Sequence, residues 1–435
     1  MAYKSDVFAL AEHGTTIRKE IAAGATTFLT MAYILAVNPG MLGSIGNGMT
    51  PGAVFTATAL ASAIATLLMA FLANLPIALA PGMGLNAFFT YTVVFGMGYS
   101  WQTALAAVFV EGIIFVILSI INVREAIIGA IPSTLKKAVA AGIGLFIALI
   151  GLENAKIVVS SPATLVTLGA FSNKEALLGI IGLALIAFLY VRKIPGSILA
   201  GILITTLIGI PLGVTKFPEN WTLVSLPAAP LFFKFDFTEL FTFNFFAVLF
   251  TFLFVDIFDT IGTLVGVTTQ GGLIDKDGFI PRGKQALLSD AIGTLAGAAL
   301  GTSTVTSYVE SAAGVAAGGK TGLTALTAGV LFLAALVLSP LFLLIPGAAT
   351  APALIFVGFM MMSSISGINF TDPTEGIPAF ITIIAMPFFY SIGDGIAFGI
   401  IAYTLLKLVS GKFKDVSVLT YILCVVFIAR FCIKG

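Results

Sequence analysis

Charge is scarce in this chain of 435 residues. Its 21 Lys and Arg and 20 Asp and Glu make up 9% of the sequence, where a soluble domain carries about a quarter. Most stand in short clusters between apolar runs, several of which exceed the ~18 residues that read as a spanning helix. With 59% hydrophobic residues and a mean hydropathy of +1.11, the chain reads as an all-α polytopic membrane protein. A soluble enzyme, a nucleic-acid binder and a disordered scaffold are excluded.

Other absences narrow the chemistry. The formal net charge is +1, so no polybasic face recruits nucleic acid or anionic lipid. Two cysteines, Cys424 and Cys432, share one apolar run and form neither a disulfide framework nor a metal motif. The single histidine, His13, lies in the polar N-terminal stretch. Any proton relay inside the spans must therefore use carboxylates. No cleavable signal peptide opens the chain: residues 1–20 carry Lys4, Asp6, Glu12, His13, Arg18, Lys19 and Glu20 and read as a short tail.

Apolar runs fall at 21–42, 52–74, 84–97, 101–122, 134–152, 176–191 and 196–213. They resume at 241–267, 286–300, 304–317, 321–346, 350–368, 376–409 and 416–433. That predicts about fourteen segments, although Pro387 and Gly393-Asp394-Gly395 allow the 376–409 run to be two short helices. With the N-terminus in the cytoplasm, inner loops hold Arg124, Lys136, Lys137, Arg192, Lys193, Lys276, Arg282, Lys284 and Lys320, and outer loops only Lys156, Lys174, Lys216 and Lys234. This bias predicts a cytoplasmic N-terminus.

The polar gap at 214–240 separates seven runs from seven, the pattern of two halves inverted in the membrane. The third element of each half is broken. The first reads Pro76-Ile-Ala-Leu-Ala-Pro-Gly-Met-Gly-Leu-Asn86, and the second Gly301-Thr-Ser-Thr-Val-Thr-Ser-Tyr-Val-Glu310. Unwound backbone at membrane depth survives only where protein or water satisfies it. Each stretch leads into a helical run, 86–97 or 308–317, whose first amides are free. Two half-helices meeting at the midplane would frame a small polar site.

Ionisable residues inside spans are costly and mark function. Asp256 and Asp259, in Phe254-Val-Asp-Ile-Phe-Asp-Thr-Ile-Gly-Thr263, share a helical face with Thr260 and Thr263. Two carboxyls this close inside a membrane are not both comfortably ionised, which suits a proton-coupled carrier. Glu310 opens the second half-helix, where it can cap amides or accept hydrogen bonds from a substrate. Asn86 holds the equivalent place in the first half and presents donor and acceptor together, with Gly84 allowing close backbone approach. Thr306, in the second broken stretch, and Phe88, beside Asn86 with Phe89, complete the candidate substrate-binding set. Glu111 reads as a structural hydrogen-bonding group or a member of a proton path. Asp290 and Asp394 read as caps near span ends, and Arg430 as snorkelling to the surface.

Ala80-Pro-Gly-Met-Gly-Leu-Asn86-Ala-Phe-Phe-Thr90 resembles the AzgA-like purine permeases, a branch of the nucleobase/ascorbate transporter superfamily. Further matching motifs are Thr26-Thr-Phe-Leu-Thr-Met-Ala-Tyr-Ile-Leu-Ala-Val-Asn-Pro39, Phe254 to Thr263, and Ala299 to Val315. The resemblance runs from about residue 8 to the C-terminus. It implies fourteen segments in two inverted seven-segment repeats, with short strands interrupting segments 3 and 10. After a cytoplasmic tail (1–20), segments 1–4 (21–122) and 8–11 (241–346) would form a core domain. Segments 5–7 (123–213) and 12–14 (347–435) would form a gate domain, through which related carriers dimerise.

The resemblance further implies a cell-membrane importer of hypoxanthine, guanine or adenine by proton symport, with an elevator-like step. The proton would be the coupling ion, with no metal or organic cofactor. Carried over by position, Asn86, Asp256 and Glu310 match the family's substrate-binding and proton-linked residues, and Gly84 and Asp259 match neighbours that affect transport. Uracil-type cousins carry glutamate and histidine in segment 8, where this chain has aspartates. The rivals are a channel, a membrane enzyme using Asp256 and Asp259 as an acid/base pair, and an anion carrier of the same fold. No nucleophile set or metal ligands accompany the aspartates, and acidic residues disfavour an anionic cargo. The preferred purine, and sodium in place of protons, stay open.

Overall fold

The structure, a computed structural model, describes residues 7–121, 132–219, 221–274 and 280–434. Lys4, Asp6, Arg124 and Lys276 lie outside the described residues, as does the side chain of Arg430. Nine of the described helices are long and apolar enough to cross a membrane.

The first span is α1 (Ile17–Met31) followed by α2 (Ile34–Gly43). Thr16 caps α1 by accepting from Lys19 N. Helix α1 thus begins within the stretch expected to be tail, and Glu20 is completely buried. Helix α3 (Pro51–Leu68) starts with Pro51 in its first turn and Thr50 as cap, the position where proline's missing N–H costs nothing. A π-helical turn over Met69–Ala73 extends it to Asn74, which is left-handed at φ 53°. The third element is β1 (Leu79–Pro81), then α4 (Met83–Ala87) continuing as π-helix over Phe88–Gly96. Helix α5 (Trp101–Ile121), α6 (Ser133–Asn154), α7 (Lys174–Val191) and α8 (Ser197–Gly209) complete the first half. An exposed hairpin that hydropathy did not foreshadow, β2 (Val158–Ser161) with β3 (Leu165–Leu168), joins α6 to α7.

The second half repeats the order: α9 (Phe243–Gln270), α10 (Gly283–Leu300), β4 (Val305–Ser307) with α11 (Ser311–Ala316), α12 (Gly322–Ala335) extended by α13 (Ser339–Leu343), and α14 (Gly347–Met362). The apolar run 376–409 is two helices, α15 (Pro373–Phe389) and α16 (Ile392–Val409). Tyr390 separates them in a left-handed conformation, φ 53°. The last run, α17 (Val418–Lys434), is therefore a helix beyond the second set of seven. Cys424 and Cys432, both on α17, are free thiols.

Contacts between elements show the same exchange of halves. Helix α1 packs on α12 as α9 packs on α5, α3 on α12 as α10 on α5, and α7 on α8 as α15 on α16; β1–β4, α3–α10 and α6–α14 are their own counterparts. The α6–α14 contact is backbone to backbone. A Cβ on Gly144 would lie 2.7 Å from Gly358 O, and Gly358 faces Gly144 O in return. Small residues let membrane helices approach this closely.

Candidate functional site

The two broken segments meet as a ladder of three residue pairs. Strands β1 and β4 are antiparallel, with Leu79 opposite Ser307, Ala80 opposite Thr306 and Pro81 opposite Val305. Tyr308 N donates to Ala78 O and Gly82 N to Thr304 O, both at 3.0 Å. A two-stranded ladder leaves outer edges bare, and at membrane depth those groups need partners. Threonines on the flanking helices supply them. Thr66 of α3 accepts from Leu79 N at 2.9 Å and donates to Leu79 O at 3.1 Å. Thr294 of α10 donates to Val305 O at 2.8 Å. Such hydroxyls explain how extended backbone survives here.

Around this ladder the carboxyls form two groups. The first is Glu310 with Asp259, which feels the Glu310 charge and whose helix α9 packs on α11. Glu310 follows β4 immediately before α11, and Tyr33, at the α1–α2 break, donates to its Oε1 at 2.6 Å. Tyr308 lies near both carboxyls and donates to Pro81 O at 2.6 Å. Val309, next to Glu310, is 50% exposed. From Asp259 an exposed stripe (Gly262, Val265, Gly266, Thr269) runs to the C-terminal end of α9.

The second group is enclosed. Asp256, Glu111 of α5 and Asp290 of α10 are all 0% exposed. Thr260 and Ser307 donate to Asp290 at 2.9 and 3.2 Å, and Thr304 reaches Glu111 Oε2 at 3.4 Å. Asp290 is thus a buried member of the polar centre and not an interfacial cap, because α10 continues ten residues beyond it to Leu300. Asp394 does lie in the first turn of α16, where Ser391 accepts from its amide.

Asp256 and Asp259 are neighbours on α9 yet serve different groups, the enclosed one and the open one. Asn86 is fully buried and bonded within the protein: it accepts from Ser303 Oγ and donates to Pro81 O at 3.4 Å. Thr306 Oγ1 pairs with Thr260 Oγ1 at 2.7 Å. Phe88 packs edge-on against Phe252 with ring centroids 4.8 Å apart. Gly84 faces α6, where a Cβ would sit 2.7 Å from Ile143 Cγ2. Sequence reasoning did not pick out Tyr33, Tyr308 or Ser303. Their signal was a polar group inside an apolar span or broken stretch, too common to single them out.

The Gly84 contact is testable. Gly84→Ala is expected to cost ~1–3 kcal/mol of overpacking, slowing transport about tenfold. Gly84→Ala with Ile143→Ala is expected to recover most of the rate. Equal uptake by wild type and the single variant would show the approach to be loose.

A polytopic bundle whose two interrupted segments meet at one buried polar centre is the architecture of a membrane transporter. The chain belongs to the permease family described by the Xan_ur_permease model, which matches residues 18–400. The adenine permease AdeP of Escherichia coli (strain K12) is 46% identical over 98% of this chain and 95% of its own. The guanine/hypoxanthine permease PbuG of Bacillus subtilis (strain 168) is 47% identical over 98% of each chain. Among solved structures, the transmembrane domain of a cyanobacterium bicarbonate transporter, BicA, has a TM-score of 0.67 at 15% identity, covering 87% of this chain and 97% of that one. That likeness is one of fold.

Proposed function

We propose that the chain imports a purine base, adenine, hypoxanthine or guanine, together with protons across the cell membrane. The observation that carries this reading is the open pair Glu310 and Asp259, with Tyr33 holding Glu310 at 2.6 Å. Carboxyl oxygens accept hydrogen bonds, which suits the ring N–H and exocyclic amine groups of a purine better than an anionic cargo. The substrate lies between segments 3, 8 and 10, and relatives of comparable length are named adenine and guanine/hypoxanthine permeases.

In this reading segments 1–4 and 8–11 move as a core against a gate of segments 5–7 and 12–14, with the N-terminus in the cytoplasm. The tight α6–α14 crossing suits a rigid gate that can also carry a homodimer contact. At one end, core and gate are tied: Asn154 donates to Tyr91 Oη at 3.1 Å and Thr92 to Tyr390 O at 3.2 Å, and Tyr390 is itself held within the gate by donating from Oη to Glu153 Oε2 at 2.6 Å. The exposed stripe on α9 leads the other way. Under the charge-bias orientation this arrangement is inward-facing.

The test is uptake of labelled hypoxanthine and adenine by cells lacking their own purine carriers, with unlabelled competitors and with or without a protonophore. Saturable uptake, blocked by purines and collapsed by the protonophore, is expected. Uptake indifferent to pH and protonophore would remove the proton from the mechanism, and no uptake of any base would remove the substrate.

A further inference from the structure

The geometry points to Glu111 of α5 as the group that shares the coupling proton with Asp256, so that the proton rides in the enclosed pair and not on the open carboxyls that meet the substrate. This rests on the proton-coupled reading above and adds the residue and the place.

Hydrogen-bond bookkeeping separates the three enclosed carboxyls. Asp290 receives Thr260 and Ser307, two donors that suit an ionised carboxylate. Neither oxygen of Asp256 receives a donor, nor does Glu111 Oε1. Glu111 Oε2 has only the long 3.4 Å contact from Thr304. Both side chains are 0% exposed, their helices α5 and α9 pack on one another, and each carboxyl acts electrostatically on the other. Two carboxylates have no hydrogen to share; the contact is favourable only when one carries a proton.

Among the described residues, the surroundings supply no other counter-charge to the pair. The charged groups that act on the pair are Asp290 from α10 and Asp259 from α9 itself, and the facing residues of the broken segment are the neutral Thr304, Thr306 and Ser307. Among the described residues no cation acts on either carboxyl, Lys136 reaching α9 over the Phe258 ring at 5.2 Å from its centroid, so a proton balances Asp256 against Glu111. Packing closes the pocket around the pair: α9 packs on α5, and Gly112, next to Glu111, lets α10 close on α5 as well, where a Cβ would sit 2.9 Å from Leu295 Cδ2.

The pair is also linked to the substrate side. Asp259 is one turn along α9 from Asp256. Thr306 of β4, hydrogen-bonded to Thr260, stands four residues before Glu310. Substrate on Glu310 and Asp259 therefore acts on the same strand and helix that enclose the proton. With the proton aboard the pair crosses neutralised by one charge; after release inside, the site is one charge more negative.

The experiment compares wild type, Glu111→Gln and Glu111→Asp, purified and reconstituted, for purine exchange without a gradient and for accumulation driven by an imposed pH gradient. One pH unit drives about tenfold accumulation through a one-proton carrier. Glu111→Gln is expected to keep exchange while losing gradient-driven accumulation and its pH dependence. Glu111→Asp is expected to restore part of both. In infrared difference spectra on adenine binding, the protonated-carboxyl band is expected to vanish in Glu111→Gln and in Asp256→Asn.

Gradient-driven accumulation by Glu111→Gln equal to wild type would overturn the assignment while leaving proton symport intact. So would a protonated-carboxyl band that survives both Glu111→Gln and Asp256→Asn, a readout independent of transport. A wild type that accumulates no purine under the gradient would overturn the symport reading itself, and this assignment with it.

Discussion

Purine uptake through a Glu310→Gln carrier is expected to fall by about one to two orders of magnitude, mostly through a raised KM. The carboxylate at 310 offers only acceptors, and one is already engaged by Tyr33 Oη at 2.6 Å. A hydrogen bond to a charged group is worth ~1.5–3 kcal/mol, and each ~1.4 kcal/mol is tenfold in affinity. Glutamine keeps the shape and can still accept from Tyr33, but it turns an NH2 toward the substrate's own N–H donors. Tyr33→Phe keeps the Glu310 carboxyl and removes one donor to it, so its loss is expected to be nearer tenfold. Labelled uptake over a concentration series separates KM from maximal rate. A Glu310→Gln carrier with wild-type KM for adenine, hypoxanthine and guanine would take Glu310 out of the substrate's contacts.

Glu20→Ala is expected to cost the largest amount of stability of any substitution at a charged residue near a span end. The Glu20 carboxylate, 0% exposed, receives Lys320 N at 3.0 Å, Thr321 N at 3.2 Å, Thr321 Oγ1 at 2.8 Å and Thr324 Oγ1 at 2.6 Å. It is the N-terminal anchor of α12, supplied by a helix about 300 residues earlier, and negative charge is favoured at a helix N-terminus. Alanine strands two backbone amides and two hydroxyls in a dry interface, at ~1–3 kcal/mol for each group left unpaired. Partial repair by rotation of the hydroxyls brings the expected loss to ~3–5 kcal/mol. In detergent, that corresponds to a thermal inactivation midpoint lower by about 10 °C. Glu20→Gln keeps one acceptor and is expected to lose roughly half as much. An unchanged melting midpoint for Glu20→Ala would mean that α1 and α12 are held by apolar packing alone.

Glu20 also illustrates what a sequence conceals. It stands in the most polar stretch of the chain, so composition assigns it to a solvated tail; only the approach of α12 turns it into a buried anchor. Asp290 is the same error in another form, since a charged residue near the start of an apolar run looks interfacial until α9 and β4 bring hydroxyls to it. Asn86, Gly84 and Phe88 were legible as special because proline and glycine interrupt an apolar span there, and Thr306 because a run of Ser, Thr and Val interrupts the other. Their present partners, Ser303, Ile143, Phe252 and Thr260, were not.

The sequence by itself determined the membrane class, the two sets of segments and the two broken elements. Hydropathy, proline, glycine and runs of threonine act over a few residues and can be read where they stand. It also determined that a histidine relay inside the spans is excluded, because the sole histidine stands at position 13, outside the spans. Tertiary structure decided how the carboxyls divide. Asp256 and Asp259 differ by only about 60° around their helix, close enough to look like one pair. The division arises from what faces each side. Glu111 and Asp290 close over Asp256, while Glu310 and Tyr33, separated by 277 residues in sequence, gather beside Asp259. Contacts across such separations depend on how helices cross, which no local pattern encodes.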